Sequence, residues 1–111
     1  MIPSTVRIFV CTQPQDMRRS FDGLALATKE VLGKDPQSGA LFCFVNKRAN
    51  RLKVLWWDTN GYCLLYKRLH RAAFVLPGSP GARSVRINGS ELAKIIAGVT
   101  RERRRREYMN T

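Results

Sequence analysis

The sequence has few of the residues that build metal centres and disulfide frameworks. Its 111 residues include three widely spaced cysteines, without a CxxC pair, and a single histidine, His70. A structural zinc site needs about four thiolate or imidazole ligands at short, paired spacings. We therefore expect no metal and no cofactor, and we interpret Cys11, Cys43 and Cys63 as buried, reduced thiols.

Acidic residues are also scarce, which limits the chemistry that the chain can perform. Eight Asp and Glu stand against 20 Lys and Arg, and most of the acids suit a cap, a turn or a helix surface. A two-metal phosphoryl-transfer site needs about three converging carboxylates. Asp16, Asp22 and Asp58 meet only if the first helix leans over the turn at Asp58. With no nucleophile elbow or Gly-rich phosphate loop either, we expect a protein that is not an enzyme. A metal-dependent nuclease is the least favoured alternative.

Long apolar runs are missing as well. No stretch approaches the roughly 20 apolar residues of a membrane span, and the N-terminal sequence MIPSTVRIFV lacks the regions of a signal peptide. No basic stretch is paired with a wide apolar helical face that would insert into a membrane surface. We expect a cytoplasmic protein without membrane contact.

The residues that are present predict one globular domain with a basic tail. The apolar fraction of 44%, with five Phe, three Tyr and two Trp, suits a single core over residues 1–99. Residues 100–111 form the tail, which contains five arginines and two glutamates. Without the tail, the domain still carries 15 cations against six acids, a net charge of +9. Such an excess favours a polyanionic partner, above all nucleic acid.

A hairpin over residues 51–71 is the centre of the predicted fold. Apolar and polar residues nearly alternate in its first strand, with Leu52, Val54 and Trp56 on one face. Residues 58–61, Asp-Thr-Asn-Gly, predict a type I turn with a positive φ at Gly61. The chain then returns as a second strand over residues 62–69. This pattern leaves two interpretations open: an ordinary two-sided sheet, or a sheet that presents one face to a polyanion.

The other predicted elements follow in chain order. Strands are predicted at residues 5–10, 40–45, 72–76 and 84–87, the second of them central. A helix starts at an Asp16 cap and ends at Gly33, with Gly23 indicating close packing on the sheet. Its apolar stripe consists of Met17, Phe21, Leu24, Thr28, Val31 and Leu32. Asn88 and Glu91 form a capping box before a second helix. The predicted class is α+β: a curved antiparallel sheet of about five strands, with the first helix packed on one face and a short C-terminal helix.

Basic residues near loops and strand ends are the candidates for phosphate contact, and Trp57, Tyr62 and Tyr66 could stack on bases if they are exposed rather than in the core. No helix-turn-helix, zinc finger or ribonucleoprotein motif supports sequence-specific readout. The candidate nucleic-acid-binding residues are Arg18, Arg19, Lys47, Arg48, Arg51, Lys53, Lys67, Arg68, Arg71, Arg101, Arg103, Arg104, Arg105 and Arg106. For the tail arginines, a solvated extension is the alternative.

Several motifs together resemble a known family. They are Asp16-Met17-Arg18-Arg19-Ser20-Phe21-Asp22-Gly23-Leu24, Asp35-Pro36, Ser38-Gly39, Leu41-Phe42-Cys43-Phe44, Asn46-Lys47-Arg48, Arg51-Leu52-Lys53-Val54-Leu55, Trp57-Asp58, Gly61 and Tyr66-Lys67-Arg68-Leu69. In order and spacing, over residues 8–99, they resemble the TnpB-type accessory protein of the insertion-sequence 66 class of bacterial transposable elements. His70 stands where that family has an acid, and the RERRRREY tail is particular to this chain.

The resemblance implies a small, non-catalytic protein that acts beside a separate transposase in transposition. It also places Arg18-Arg19, Lys47-Arg48 and Lys67-Arg68 on family motifs. We therefore expect an accessory factor that binds DNA through phosphate contacts, with the transposase as a second partner. The alternative is a module that docks on the transposase without touching DNA.

Overall fold

The computed structural model describes residues 5–100 of the chain. They form seven strands and two helices: β1 (Ile8–Cys11), α1 (Phe21–Glu30), β2 (Leu41–Val45), β3 (Arg51–Asp58), β4 (Gly61–Arg68), β5 (Ala72–Ala73), β6 (Ser84–Ile87), α2 (Gly89–Ala97) and β7 (Val99–Thr100). This arrangement confirms the predicted α+β class.

Five of the strands form one sheet in the order β4-β3-β2-β1-β6. All neighbours are antiparallel except β1 and β2, which pair in parallel because α1 carries the chain back between them. The strand β2 lies in the middle, as its apolar sequence predicts. The short strands β5 and β7 pair antiparallel in a separate small sheet, and β5 stops at Ala73, three residues short of the predicted end.

The sheet has a core on each face, and each helix covers one of them. On the α1 face, Phe42, Phe44 and Leu55 pack with Leu24 and are fully buried. On the opposite face, Val10, Cys43 and Val54 pack with Leu92 and Ile95 of α2. Because β2 is buried on both faces, its sequence is almost wholly apolar. No helix within residues 5–100 is long and apolar enough to cross a membrane.

The hairpin of β3 and β4 forms with the predicted division of faces. Leu52, Val54 and Trp56 lie in the core beneath α2, whereas Leu55 lies beneath α1. The prediction of a positive φ at Gly61 is wrong. Asp58 pairs directly with Gly61, which leaves a two-residue turn, and the positive φ (43°) falls on Thr59. A short turn of this kind matches the twist of the strands only if its first residue takes a positive φ.

The start of α1 differs from the prediction. The helix begins at Phe21 with Ser20 as its N-cap, and Phe21 remains 44% exposed rather than buried. Asp16 instead closes a turn by accepting a hydrogen bond from the backbone N–H of Arg18 (2.9 Å). Gly23 also does not pack on the sheet. A Cβ there would lie 3.0 Å from the Cβ of Arg19, so the glycine accommodates the Arg19 side chain.

The capping box of α2 is confirmed and gives a test of local stability. The Asn88 side chain accepts a hydrogen bond from the Glu91 N–H (2.8 Å), and the Glu91 carboxylate accepts one from the Asn88 N–H (3.1 Å). We expect Asn88→Ala to lower the free energy of unfolding by about 1 kcal/mol, since a helix donor loses its partner. Urea denaturation measures this change. Asn88→Ser keeps the acceptor and should stay close to the wild type; equal losses in both variants would contradict the capping role.

Candidate nucleic-acid interface

An open cleft lies where the parallel strands β1 and β2 end. It has a volume of about 580 Å³ and lies between two loops, residues 14–18 after β1 and residues 46–51 after β2. The carboxyl ends of parallel strands leave such a crevice because the chain turns away from the sheet there. Its lining combines cations with amides: Arg18, Lys47, Arg48 and Arg51 with Gln15, Asn46 and Asn50.

Hydrogen bonds fix the backbone of both loops. The Gln15 N–H donates to the Val45 carbonyl (3.0 Å), which ties the first loop to the end of β2. In the second loop, the Asn46 side-chain oxygen accepts from the N–H groups of Asn50 (3.0 Å) and Arg51 (2.9 Å). Ala49 takes a positive φ of 56° to complete the turn. The cations of the cleft therefore belong to loops whose backbone is held by hydrogen bonds.

Strand pairing brings further cations to this same end of the sheet. Arg51 begins β3 opposite Arg68, which ends β4. Ser84 pairs with Cys11, so Arg83 lies beside the end of β1, and its carbonyl accepts from the Thr12 N–H (2.9 Å). We call this part of the molecule the basic end; its cations are Arg18, Arg19, Lys47, Arg48, Arg51, Arg68, Arg71 and Arg83.

Seven of these eight residues are among the candidates drawn from the sequence. Arg83 is the one that sequence reasoning missed. The sequence predicts a strand that begins at residue 84, but only the pairing of β6 with β1 carries Arg83 to the end of β1, and sequence spacing does not specify that pairing. Arg71 reaches the group through the segment after β4, where the Leu69 N–H donates to the Asn50 carbonyl (2.8 Å).

The acids are distributed unequally between the two ends of the sheet. Four of the six within residues 5–100, Glu30, Asp35, Asp58 and Glu91, belong to segments at the opposite end. The basic end retains Asp16 and Asp22. The three carboxylates considered for a nuclease are therefore not brought together, because Asp58 lies a full strand length from the other two. Within the described residues, no group of three or more His, Cys, Asp or Glu could hold a metal ion.

Asp16 is tied to Arg18 at the edge of the cleft, and this pair makes a pH prediction. The Arg18 guanidinium lies 2.7 Å from the Asp16 carboxylate, and its hydrogen bonds lower the pKa of Asp16 from 3.8 to about 2. Because the pKa is lowered in the folded state, the pair is intact above pH 3.8 and is lost as the pH falls towards 2. We expect Arg18→Gln to return the Asp16 pKa towards 3.8, as measured by NMR titration of the carboxyl carbon; an unchanged titration would contradict the pairing.

Two of the candidate lysines are already engaged by the fold. Lys53 is 6% exposed, and its ammonium donates to the carbonyls of Met17 (2.8 Å) and Arg19 (2.7 Å). Lys67 is half-buried on the α2 face and donates to the carbonyl of Ile96 (2.7 Å), in the last turn of α2. Both lysines hold structure in place, so neither belongs to the exposed set at the basic end. The remaining candidates, Arg101, Arg103, Arg104, Arg105 and Arg106, lie outside the described residues.

The aromatic candidates divide into two groups. Trp57 and Tyr62 pack edge to face, with ring centroids 5.0 Å apart, at the end of the hairpin remote from the cleft. Tyr66 is 50% exposed, and its ring lies 4.8 Å from the Lys53 ammonium. Of the three, Tyr66 alone is near the basic end. A second, mostly apolar groove of about 550 Å³ lies between Trp56, Leu65 and Ile96 on the α2 face.

None of the three cysteines forms a disulfide bond. Cys11 and Cys43 are buried, as predicted, and burial raises the pKa of Cys43 to about 12. Cys63 is only partly buried, so the prediction of burial is wrong for this residue.

Fold and surface together define a class: a small, basic α+β protein whose cations gather at the end of a sheet. The chain belongs to the family described as IS66 Orf2 like protein, whose family model matches residues 6–106. This membership places it among the accessory proteins of insertion-sequence transposition.

Two relatives come from Sinorhizobium fredii (strain NBRC 101917 / NGR234). The uncharacterized protein y4hO is 40% identical over 101 residues, which cover 89% of this chain and 87% of the relative. The uncharacterized protein y4jC is 34% identical over 94 residues, which cover 85% and 80%. No solved structure matches the chain.

Proposed function

We propose that the protein is a non-catalytic accessory factor of transposition that binds DNA through phosphate contacts at its basic end, alongside a separate transposase. The observation that carries this proposal is the gathering of eight cations at one end of the sheet, four of which line an open cleft between two hydrogen-bonded loops. Two acids share that end, and one of them already pairs with Arg18.

The arrangement suits phosphate backbone better than a single small anion. The cations are spread across loops or strand ends from all five strands of the main sheet, so that they present a broad positive surface. Phosphate contacts of this kind position a protein on DNA and release counterions, but they carry no sequence information. We therefore propose binding with little dependence on base sequence.

A salt titration tests the proposal. Binding of a labelled DNA duplex is measured by fluorescence anisotropy between about 50 mM and about 200 mM salt. We expect log affinity to fall linearly with log salt, with a slope of several units, because each phosphate contact contributes roughly −0.9. A flat response, or no binding at about 50 mM salt, would contradict phosphate contact. Capture of the transposase that survives nuclease treatment would then favour the alternative of direct docking.

A further inference from the structure

We propose that the basic end takes an unpaired DNA strand, with one base stacked on Tyr66, in preference to a duplex. This inference rests on the proposed function, since it specifies which form of DNA the same site binds. It is carried by one side chain that the phosphate contacts do not use: an aromatic ring that is half-exposed beside the cations of an edge strand.

The position of Tyr66 joins the ring to the phosphate-binding cations. Residues two apart on a strand point to the same face, so Tyr66 and Arg68 stand side by side about 7 Å apart. Across the hairpin, Lys53 faces Tyr66 and Arg51 faces Arg68. The four side chains thus form a rectangle on the α1 face of the sheet, with the ring at one corner and arginines at two others.

The ring is also held in place before any ligand arrives. The Lys53 ammonium lies 4.8 Å from the ring centroid, and that ammonium is fixed in turn by the carbonyls of Met17 and Arg19. One face of the ring is therefore turned towards the buried Lys53 ammonium, while Tyr66 as a whole remains 50% exposed. An ordered, exposed aromatic surface of this kind loses little conformational freedom when a base stacks on it.

Unpaired DNA fits this arrangement because a paired base has its faces occupied by its neighbours. A DNA strand whose phosphates contact Arg51 and Arg68 can stack an unpaired base on the ring of Tyr66. The edge position of β4 leaves room for a DNA strand, because no other β-strand within the described residues pairs with the outer side of β4. The remaining cations of the cleft, Arg18, Lys47 and Arg48, lie further along the same end.

Fluorescence anisotropy with two probes tests this inference: a labelled oligothymidine of about 12 nucleotides and a labelled hairpin duplex with the same number of phosphates. For the wild type, we expect tighter binding of the oligothymidine. Tyr66→Leu should weaken oligothymidine binding roughly tenfold and leave duplex binding within about twofold, because stacking is lost while the phosphate contacts remain. Tyr66→Phe keeps the ring and should match the wild type with both probes.

The possible failures are distinguishable. Equal affinity for both probes, or an equal loss with both in Tyr66→Leu, would overturn the stacking inference and leave the salt-dependent phosphate contacts standing. A complete lack of binding to either probe would overturn the proposed function as well. Thermal unfolding of each variant shows whether it is folded. If the leucine variant is not, the wild-type comparison of the two probes still decides, because equal affinity for both overturns the stacking inference.

Discussion

Replacing three cations of the cleft is expected to weaken DNA binding about a hundredfold at low salt. The triple variant Lys47→Gln, Arg48→Gln and Arg51→Gln removes positive charge from the cleft and preserves the backbone hydrogen bonds that shape the loop. If each residue contacts one phosphate, the slope of log affinity against log salt should become shallower by roughly 2.7. Anisotropy titrations at several salt concentrations measure both quantities.

A matched variant separates the position of the charges from their number. Arg7, Lys29 and Lys94 are exposed and lie away from the cleft, so that changing all three to Gln alters the net charge by the same amount. We expect this control to weaken binding only a few-fold through the long-range field, with little change in slope. Similar losses in the two triple variants would mean that total charge, rather than the basic end, determines binding.

The second large effect is expected from Lys53, whose role is structural. Lys53→Met should lower the free energy of unfolding by about 2 kcal/mol, because two carbonyls lose the ammonium that satisfies them. Methionine fills much the same volume, so the loss reports the hydrogen bonds more than a cavity. Urea denaturation measures the change, with Arg68→Met, at an exposed site on the neighbouring strand, as the control that should stay within about 0.5 kcal/mol.

The same variant should affect DNA binding in a distinct way. The Lys53 ammonium holds the segment that carries Arg18 and Arg19, so its loss should reduce affinity by loosening that segment. The stability loss should be the larger signal, and the salt slope should fall by less than it does when the three cleft cations are removed. If the salt slope instead became shallower by the amount expected for one phosphate contact and stability did not change, the ammonium would face solvent and bind phosphate directly.

Much of the fold follows from local sequence patterns. The alternation in residues 51–57 indicates which side chains of β3 share a face, and the structure places them so. The capping box of α2 is equally local, because Asn88 and Glu91 are three residues apart and satisfy each other. The apolar run of β2 indicates a central strand, and β2 occupies that place. These features can be predicted from the sequence because the interacting groups are close together in it.

The errors arise where distant residues decide the outcome. Asp16 is a residue type that often caps helices, but α1 starts four residues later than an Asp16 cap predicts. In the segment before the helix, the carbonyls of Met17 and Arg19 accept hydrogen bonds from Lys53, which is 36 and 34 residues away in the sequence. The sequence makes Lys53 a candidate for phosphate contact because it shows the charge of the side chain but does not show that the side chain is buried. The grouping of Arg83 with the cleft depends on the pairing of β6 with β1, which sequence spacing alone does not specify.

The most direct test of the central claim is to map where DNA touches the chain. Amide NMR spectra of the nitrogen-15-labelled protein, recorded during titration with a short DNA duplex, report each backbone position separately. We predict that the largest shifts fall in residues 14–19, 46–51 and 68–71 and at Arg83. Shifts that concentrate instead at the turn after Asp58 or along α2, with the basic end unchanged, would contradict the account.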